Sequence, residues 1–341
     1  MMSLCTYVLR GSKLHNLLND VKSLSSHYVQ TQLQDVNESS HYERDKAENL
    51  LQTTNADLSN VTPYLQNTFN IAAYVNKSET LKQLVKLNVN LSVIEKKPYI
   101  MEKFLKLDFE RNMKCHIIFL SDLIGMENIG EFISKNPMIF YEPIEHLKVR
   151  INYLQSKGFM YDQINRIVSK NPFWLNFSTI RIDRRFGFFQ QTFDLNGNEV
   201  RYLATKLPKL ITYNIQFIKF NYFAIKEEFG FEDLEIKKLL LDKPKIWMIN
   251  QKVLGQRFNY IHNIMKISHS AILESPEVLL SRNFRIKQRH MFLEKLGRAQ
   301  YDPKKENYIP VKCLIEDTDV EFCKKYAKSN VDDFNMFLKT L

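Results

Sequence analysis

Four arginines recur at one fixed place in this chain. Arg150, Arg185, Arg257 and Arg289 each stand thirteen residues after a proline, at Pro137, Pro172, Pro244 and Pro276, and after Pro208 the same slot holds Asn221. A guanidinium is a planar fork of five N–H donors that keeps its charge, which suits two kinds of chemistry. A row of evenly spaced arginines can grip the phosphates of a nucleic acid along one face. Equally, each arginine can lay its methylenes over a neighbour and bond the carbonyls or a carboxylate of the next structural unit. Arg181, Arg184 and Arg285 lie close to the row and complete the set of candidate nucleic-acid-binding residues. The sequence leaves both readings open.

The elements that position these residues follow from the prolines, which are 35, 36, 36 and 32 residues apart from Pro137 to Pro276. Apolar residues recur ten, fourteen and seventeen positions after each one, as in Leu147, Ile151 and Leu154 or Ile182, Phe186 and Phe189. Steps of four and three trace one face of a helix. A second stripe precedes each proline by eight, five and four positions, as in Ile164, Ile167 and Val168 or Ile236, Leu239 and Leu240. Each unit is therefore two helices with a proline between them, because proline cannot donate to the first helix and pushes its predecessor out of the α region. Units of this period cannot bury an apolar face alone and must stack. The expectation is an all-α helical-repeat solenoid, helical over 127–297, with no sheet and with the second helices side by side.

Outside the repeats the chain changes character. Residues 1–19 hold no acid and mix Arg10 and Lys13 with scattered leucines, so 1–22 reads as a mitochondrial transit peptide. Residues 23–60, rich in Ser, Asn, Gln and Asp, read as a disordered linker. Pro98 has Arg111 thirteen positions on, but Asp108, Asn112 and Cys115 stand where apolar residues belong, so 61–126 reads as degenerate N-terminal repeats. Regular repeats fill 127–300. Beyond Gly297 the period should break at Asp302-Pro303, and Thr318 with Glu321 spells a capping box that opens a last helix to about Leu338, within a C-terminal cap at 301–341.

Charge falls in the repeats. Residues 131–300 hold 27 Lys and Arg against 16 Asp and Glu, while the rest of the chain holds 21 against 22. A basic array points to a polyanion, nucleic acid first. The alternative is a protein-binding solenoid, whose surface would be less uniformly basic. Four cysteines form no disulfide framework. No apolar run approaches the roughly 18 residues of a membrane span.

The units KNPFWLNFSTIRIDRRFGFFQ and DKPKIWMINQKVLGQRFNYI, the late segment RHMFLEKLGRAQYDP and the ending FLKTL resemble the mitochondrial transcription termination factor (mTERF) family, most like its third metazoan branch, over about residues 78–341. The resemblance implies a left-handed superhelix of mTERF repeats whose basic concave groove tracks double-stranded mitochondrial DNA. It further implies a protein of the mitochondrial matrix that represses or modulates transcription, with ribosome biogenesis and translation, through mitochondrial rRNA or ribosomal assembly intermediates, as a second theme. The chain is expected to act as a monomer.

Catalytic chemistry finds no footing. There is no HExxH, no GxSxG, no Walker loop and no pair of Cys-x-x-Cys motifs. The eight histidines form no ligand cluster; His262 and His269 fall in different predicted helices, and His290 takes a core slot. Glu316, Asp317 and Asp319 read as a helix N-terminus rather than a metal site. Trp174 and Trp247, in the proline-led turns, read as core rather than base-stacking platforms. No enzyme, cofactor or metal is expected. A base-reading RNA array should vary polar residues at fixed slots, whereas the nearly invariant Arg slot favours backbone contact.

Overall fold

The computed structural model describes residues 71–341. The expected transit peptide at 1–22 and linker at 23–60 lie outside the described residues. Within them every regular element is a helix, and none is long and apolar enough to cross a membrane.

The repeats begin with α1 (Met126–Lys135) and α2 (Ile144–Ser156), followed by α3 (Tyr161–Lys170) and α4 (Thr179–Phe193), then α5 (Gly197–Lys206) and α6 (Ile215–Phe223). The fourth unit is α7 (Asp233–Asp242) and α8 (Gln251–Phe258), and the fifth is α9 (His269–Glu274) and α10 (Asn283–Lys295). Odd-numbered helices are the first of their unit and even-numbered helices the second. A wide π-type turn prolongs α6 over Ala224–Glu228 and α8 over Asn259–Ile264.

The proline acts as its chemistry demands. In all five units the residue before it has φ between −127° and −140° with ψ of 59° to 80°, outside the helical region. The proline then opens a short turn at its first position, where the missing N–H costs nothing. This turn is 3₁₀ in four units and a single α turn, Pro208–Thr212, in the third. Six residues after the proline, Ser178, Asn214 and Asn250 cap α4, α6 and α8 with their side-chain oxygens. Left-handed residues end the second helices. Gly158, Gly230 and Gly297 serve three of them at φ of 79°, 76° and 66°, while Asp194 and Lys266 fill that role in the second and fourth at 50° and 57°.

Both stripes are buried. Ile164, Ile167, Val168, Leu203, Ala204 and Leu240 are fully enclosed from the first helices, and Leu147, Leu154, Phe189, Ile218 and Leu254 from the second. Each such side chain larger than alanine contributes roughly 1.5–3 kcal/mol, and all belong to one continuous core that runs through the stacked units. Trp174 and Trp247 are core, at 2% and 0% exposure.

Two features depart from the sequence reading. The last helix is not continuous to Leu338: the capping box of Thr318 and Glu321 is present, but Lys328 turns left-handed at φ 49° and divides Asp319–Ala327 from a separate helix, Val331–Leu338. The proline period also does not end at Asp302-Pro303, because Pro310 leads a further 3₁₀ turn, Val311–Leu314.

Candidate nucleic-acid interface

The arginine slot faces the next unit. Arg150 Nη1 donates to the carbonyl of Leu175, and its Nη2 lies 2.7 Å from the Glu142 carboxylate. Arg185 Nη1 donates to the carbonyls of Ile211, at 3.3 Å, and Tyr213. Arg257 Nη1 reaches the Leu279 carbonyl at 2.8 Å. Arg289, fully buried, donates to the carbonyls of Cys313, at 2.7 Å, and Asp317, and its Nη2 pairs with the Asp319 carboxylate at 2.7 Å. Its guanidinium also lies 4.6 Å from the centre of the Phe322 ring.

The acceptors obey a rule of their own. Leu175, Ile211 and Leu279 each stand three residues after the next unit's proline, and Cys313 stands three after Pro310, which identifies Pro310 as the origin of one more turn. Tyr213 stands five after its proline. Asn221 follows the same rule without a charge: its Nδ2 donates to Trp247, three after Pro244, at 3.1 Å and to Ile249, five after it, at 2.8 Å. One slot lies upstream of the readable period. His116 is buried with Nε2 2.8 Å from the carbonyl of Glu142, five after Pro137. The clasp thus runs through six consecutive side chains, from His116 to Arg289. A 3₁₀ turn leaves carbonyls without helical partners, and a buried carbonyl left bare costs about 1–3 kcal/mol, which is the demand this slot answers.

Of the two readings of the arginine row, the geometry supports the clasp between units. Burial pulls the guanidinium of Arg185 below its ordinary pKa, with a smaller push from Arg181, and burial does the same at Arg257. Arg285 joins the clasp at the C-terminal end by donating to the Asp317 carbonyl at 2.6 Å; burial, and then the charge of Arg289, lower its pKa. Arg181 and Arg184 differ, since both are exposed on α4. Arg181 lies 4.2 Å above the Phe177 ring, which holds it upright at the helix start.

Charge divides sharply between the two helix sets. The five first helices carry seven Lys and Arg against eight Asp and Glu, whereas the five second helices with their π-type extensions carry thirteen against five. Most of the basic excess lies on the second helices, where five of the thirteen cations are the clasp arginines. Its exposed cations include a row that the arginine slot overshadowed: Lys148, Lys219 and Lys287 each stand eleven after their prolines. Lys219 sits 5.8 Å from the Phe188 ring and Lys287 5.0 Å from the Tyr260 ring, each ring belonging to the preceding unit. In the second unit that position holds Asp183, which accepts from the Tyr153 hydroxyl of the preceding unit at 2.7 Å. These cross-unit contacts place the second helices side by side. The recurrence of lysine two residues ahead of three of the five slots, with Asp183 and Gly255 in the other two, was the available signal.

No group of three or more metal-ligating side chains comes together among the described residues. His262 and His269 are neighbours after all, with ring centres 4.7 Å apart, but within an aromatic stack with Phe231 and Phe258.

Comparison with known proteins agrees with this architecture. The chain is 45% identical over 273 residues to transcription termination factor 3, mitochondrial, of Drosophila melanogaster, covering 80% of this chain and 77% of that one. It is 40% identical over 282 residues to the Mus musculus factor of the same name, covering 82% and 68%. Transcription termination factor 1, mitochondrial, of Homo sapiens is more distant, at 25% over 210 residues, 58% of this chain and 52% of that one. With the mTERF pattern matching residues 39–322, most of the repeat array included, the chain belongs to the mTERF family.

Proposed function

We propose that this chain is a mitochondrial regulator of transcription that binds double-stranded mitochondrial DNA through the phosphates, on the second-helix layer, and has no catalytic role. The observation that carries the reading is the set of exposed cations on the second helices, Lys148, Lys219 and Lys287 at one fixed place with Arg181, Arg184 and Lys252 beside them; apart from the five clasp arginines the second helices carry eight Lys and Arg against five Asp and Glu, beside a near-neutral first-helix layer. The names of the relatives, mitochondrial transcription termination factors, support the process and the organelle, and the matrix is the compartment where that DNA lies. Arg181, Arg184, Lys148, Lys219, Lys252 and Lys287 are the proposed phosphate donors. Arg150, Arg185, Arg257, Arg285 and Arg289 enter as the groups that fix the spacing between units, and so the spacing between phosphate contacts. Cations at a fixed repeat suit a backbone, which offers charge at regular intervals and no sequence code.

Titration of the full chain with duplex DNA over a range of salt tests this. Charge reversal of Lys219 and Lys287 together (Lys219→Glu, Lys287→Glu) should weaken binding to unrelated duplexes alike and make the log–log salt slope shallower by about 0.9 per lost contact. An unchanged slope would remove the second-helix layer from the interface. A rise in affinity on exchanging duplex DNA for single-stranded rRNA segments would favour the ribosomal reading, in which unpaired bases meet the protein.

A further inference from the structure

We propose that the opposite layer, formed by the first helices of units two to four, is a docking surface for an acidic amphipathic helix of a partner protein. Two grooves run there. One, of about 570 Å³, lies between α3 and α5 and is lined by Met160, Arg166, Arg201, Tyr202 and Lys206 among others. The other, of about 470 Å³, lies between α5 and α7 and is lined by Leu234, Lys237 and Lys238, with Tyr202 and Lys206 shared as the wall between the two.

Three observations converge on this face. Leu234 and Met160, at 78% and 74% exposure, are the two most exposed large apolar side chains among the described residues, and each lines one of these grooves. Scattered exposed apolar residues mean little, but the two extremes on one short stretch of surface mark a contact site. The cations are concentrated here although the first-helix layer as a whole is not basic. Leaving aside Lys237, which is paired with Glu199 at 2.9 Å, Arg166, Arg201, Lys206 and Lys238 line the grooves against Asp242 alone. Several cations are also held in place. Arg201 Nη1 donates to the Lys157 carbonyl at 3.0 Å, Lys206 Nζ to the Leu241 carbonyl at 2.9 Å, and Arg166 uses only Nε, toward the Thr205 carbonyl at 3.0 Å.

Cations between apolar anchors fit a partner with acids between apolar residues. A polyanion alone would leave Met160 and Leu234 without a role. Packed helices lie about 8–10 Å apart, so the anchors flanking α3 and α7 are two such steps, roughly 16–20 Å, apart. At about 1.5 Å per residue, the matching apolar residues of a partner helix fall about 11–13 positions apart. The surface stands independently of the nucleic-acid reading, because it uses the other helix of each unit.

The test places the photo-crosslinking residue p-benzoylphenylalanine at position 160 or 234 of the full chain inside mitochondria, and maps each crosslink by mass spectrometry. The expected result is one protein at both positions, joined through an acidic segment with apolar residues about 11–13 apart. With the crosslinker at 160, Leu234→Asp should cut the yield at least about tenfold, the loss of a central anchor, while Leu234→Lys should cut it less. Binding to duplex DNA should keep its salt slope in both variants, which separates failure here from failure of the nucleic-acid proposal. Crosslinks to nucleic acid, to a second copy of this chain or to unrelated proteins at the two positions would overturn the proposal, as would no crosslink. Equal losses with Asp and Lys would overturn the acidic partner.

Discussion

The second and third units hold their successors at the same place by different chemistry. Arg185 does so with a charged fork, and Asn221 with a neutral amide that is 1% exposed; both donate to the carbonyls three and five residues beyond the next proline. A phosphate-binding row would lose a contact where Asn replaces Arg. A clasp loses nothing essential, because two carbonyls ask for donors and not for charge. The difference between the units therefore identifies the job of the slot. If the chain binds a nucleic-acid backbone as proposed, the donors are the exposed positions beside the slot.

The largest expected effect is at the end of the row. Arg289 is wholly enclosed and serves two carbonyls, while its partner Asp319 is half exposed, so Arg289→Ala should lower stability by about 2–6 kcal/mol in chemical denaturation, from two bare carbonyls at roughly 1–3 kcal/mol each. A loss below 1 kcal/mol would mean that the C-terminal turn does not depend on the clasp. Asn221→Ala comes next, at about 1–3 kcal/mol, since it strips donors from two carbonyls. If Asn221→Ala were neutral while Arg185→Ala was costly, the two units would not be equivalent and the comparison would break.

Arg185→Lys sharpens the comparison with a smaller effect. Lysine carries the same charge but presents one nitrogen in place of a fork, so stability should drop by about 1 kcal/mol, less than for Arg185→Ala. The salt slope for duplex DNA should not move. A retained fold in Arg185→Ala together with a salt slope shallower by about 0.9 would instead return Arg185 to the phosphate contacts.

How far the sequence disclosed this molecule depends on the regularity of each part. The five proline-led units were legible because burial imposes a helical period on every core position, and the proline marks the same break each time. His116 was hidden by a local insertion. The segment after Pro98 forms a full helix, Pro98–Leu105, in place of a five-residue turn, so the second helix starts late and the expected core slots fall on Asp108, Asn112 and Cys115. The true core positions, Met113, Ile117 and Leu120, lie five residues further on and are buried. Pro310 was obscured because the stretch before it, from Gly297 to Ile309, contains no first helix. For the arginine row, sequence fixed the spacing but not the direction of the side chain. A residue at the edge of an apolar stripe can point to solvent or to the next unit, and only the position of the neighbouring carbonyls decides between them.

A last comparison sets the fifth unit against the others, fourteen residues after the proline. Ile151, Phe186, Tyr222 and Phe258 take that slot in the first four units, and His290 takes it in the fifth, buried and with Nδ1 2.9 Å from the Tyr301 hydroxyl. Burial lowers the pKa of His290, with Glu294 pulling weakly the other way. The folded state thus favours the neutral ring, while the unfolded chain takes up the proton near pH 6.5. The contribution is fully present above about pH 6.5 and is lost as the pH falls through that value toward the lowered folded pKa. His269 is lowered in the same sense, first by burial and then by His262, so it adds to the same limb. Denaturant midpoints measured between pH 7.5 and 5.5 should therefore fall, and His290→Phe, which fits the slot as Phe186 and Phe258 do, should flatten the fall by under about 1 kcal/mol. The variant also leaves the Tyr301 hydroxyl without its partner, so its stability at pH 7.5 should be lower; the readout is the slope and not the height. An equally steep acid limb in His290→Phe would show that His290 takes up its proton as readily in the folded chain as in the unfolded one, and would assign the pH dependence to His269.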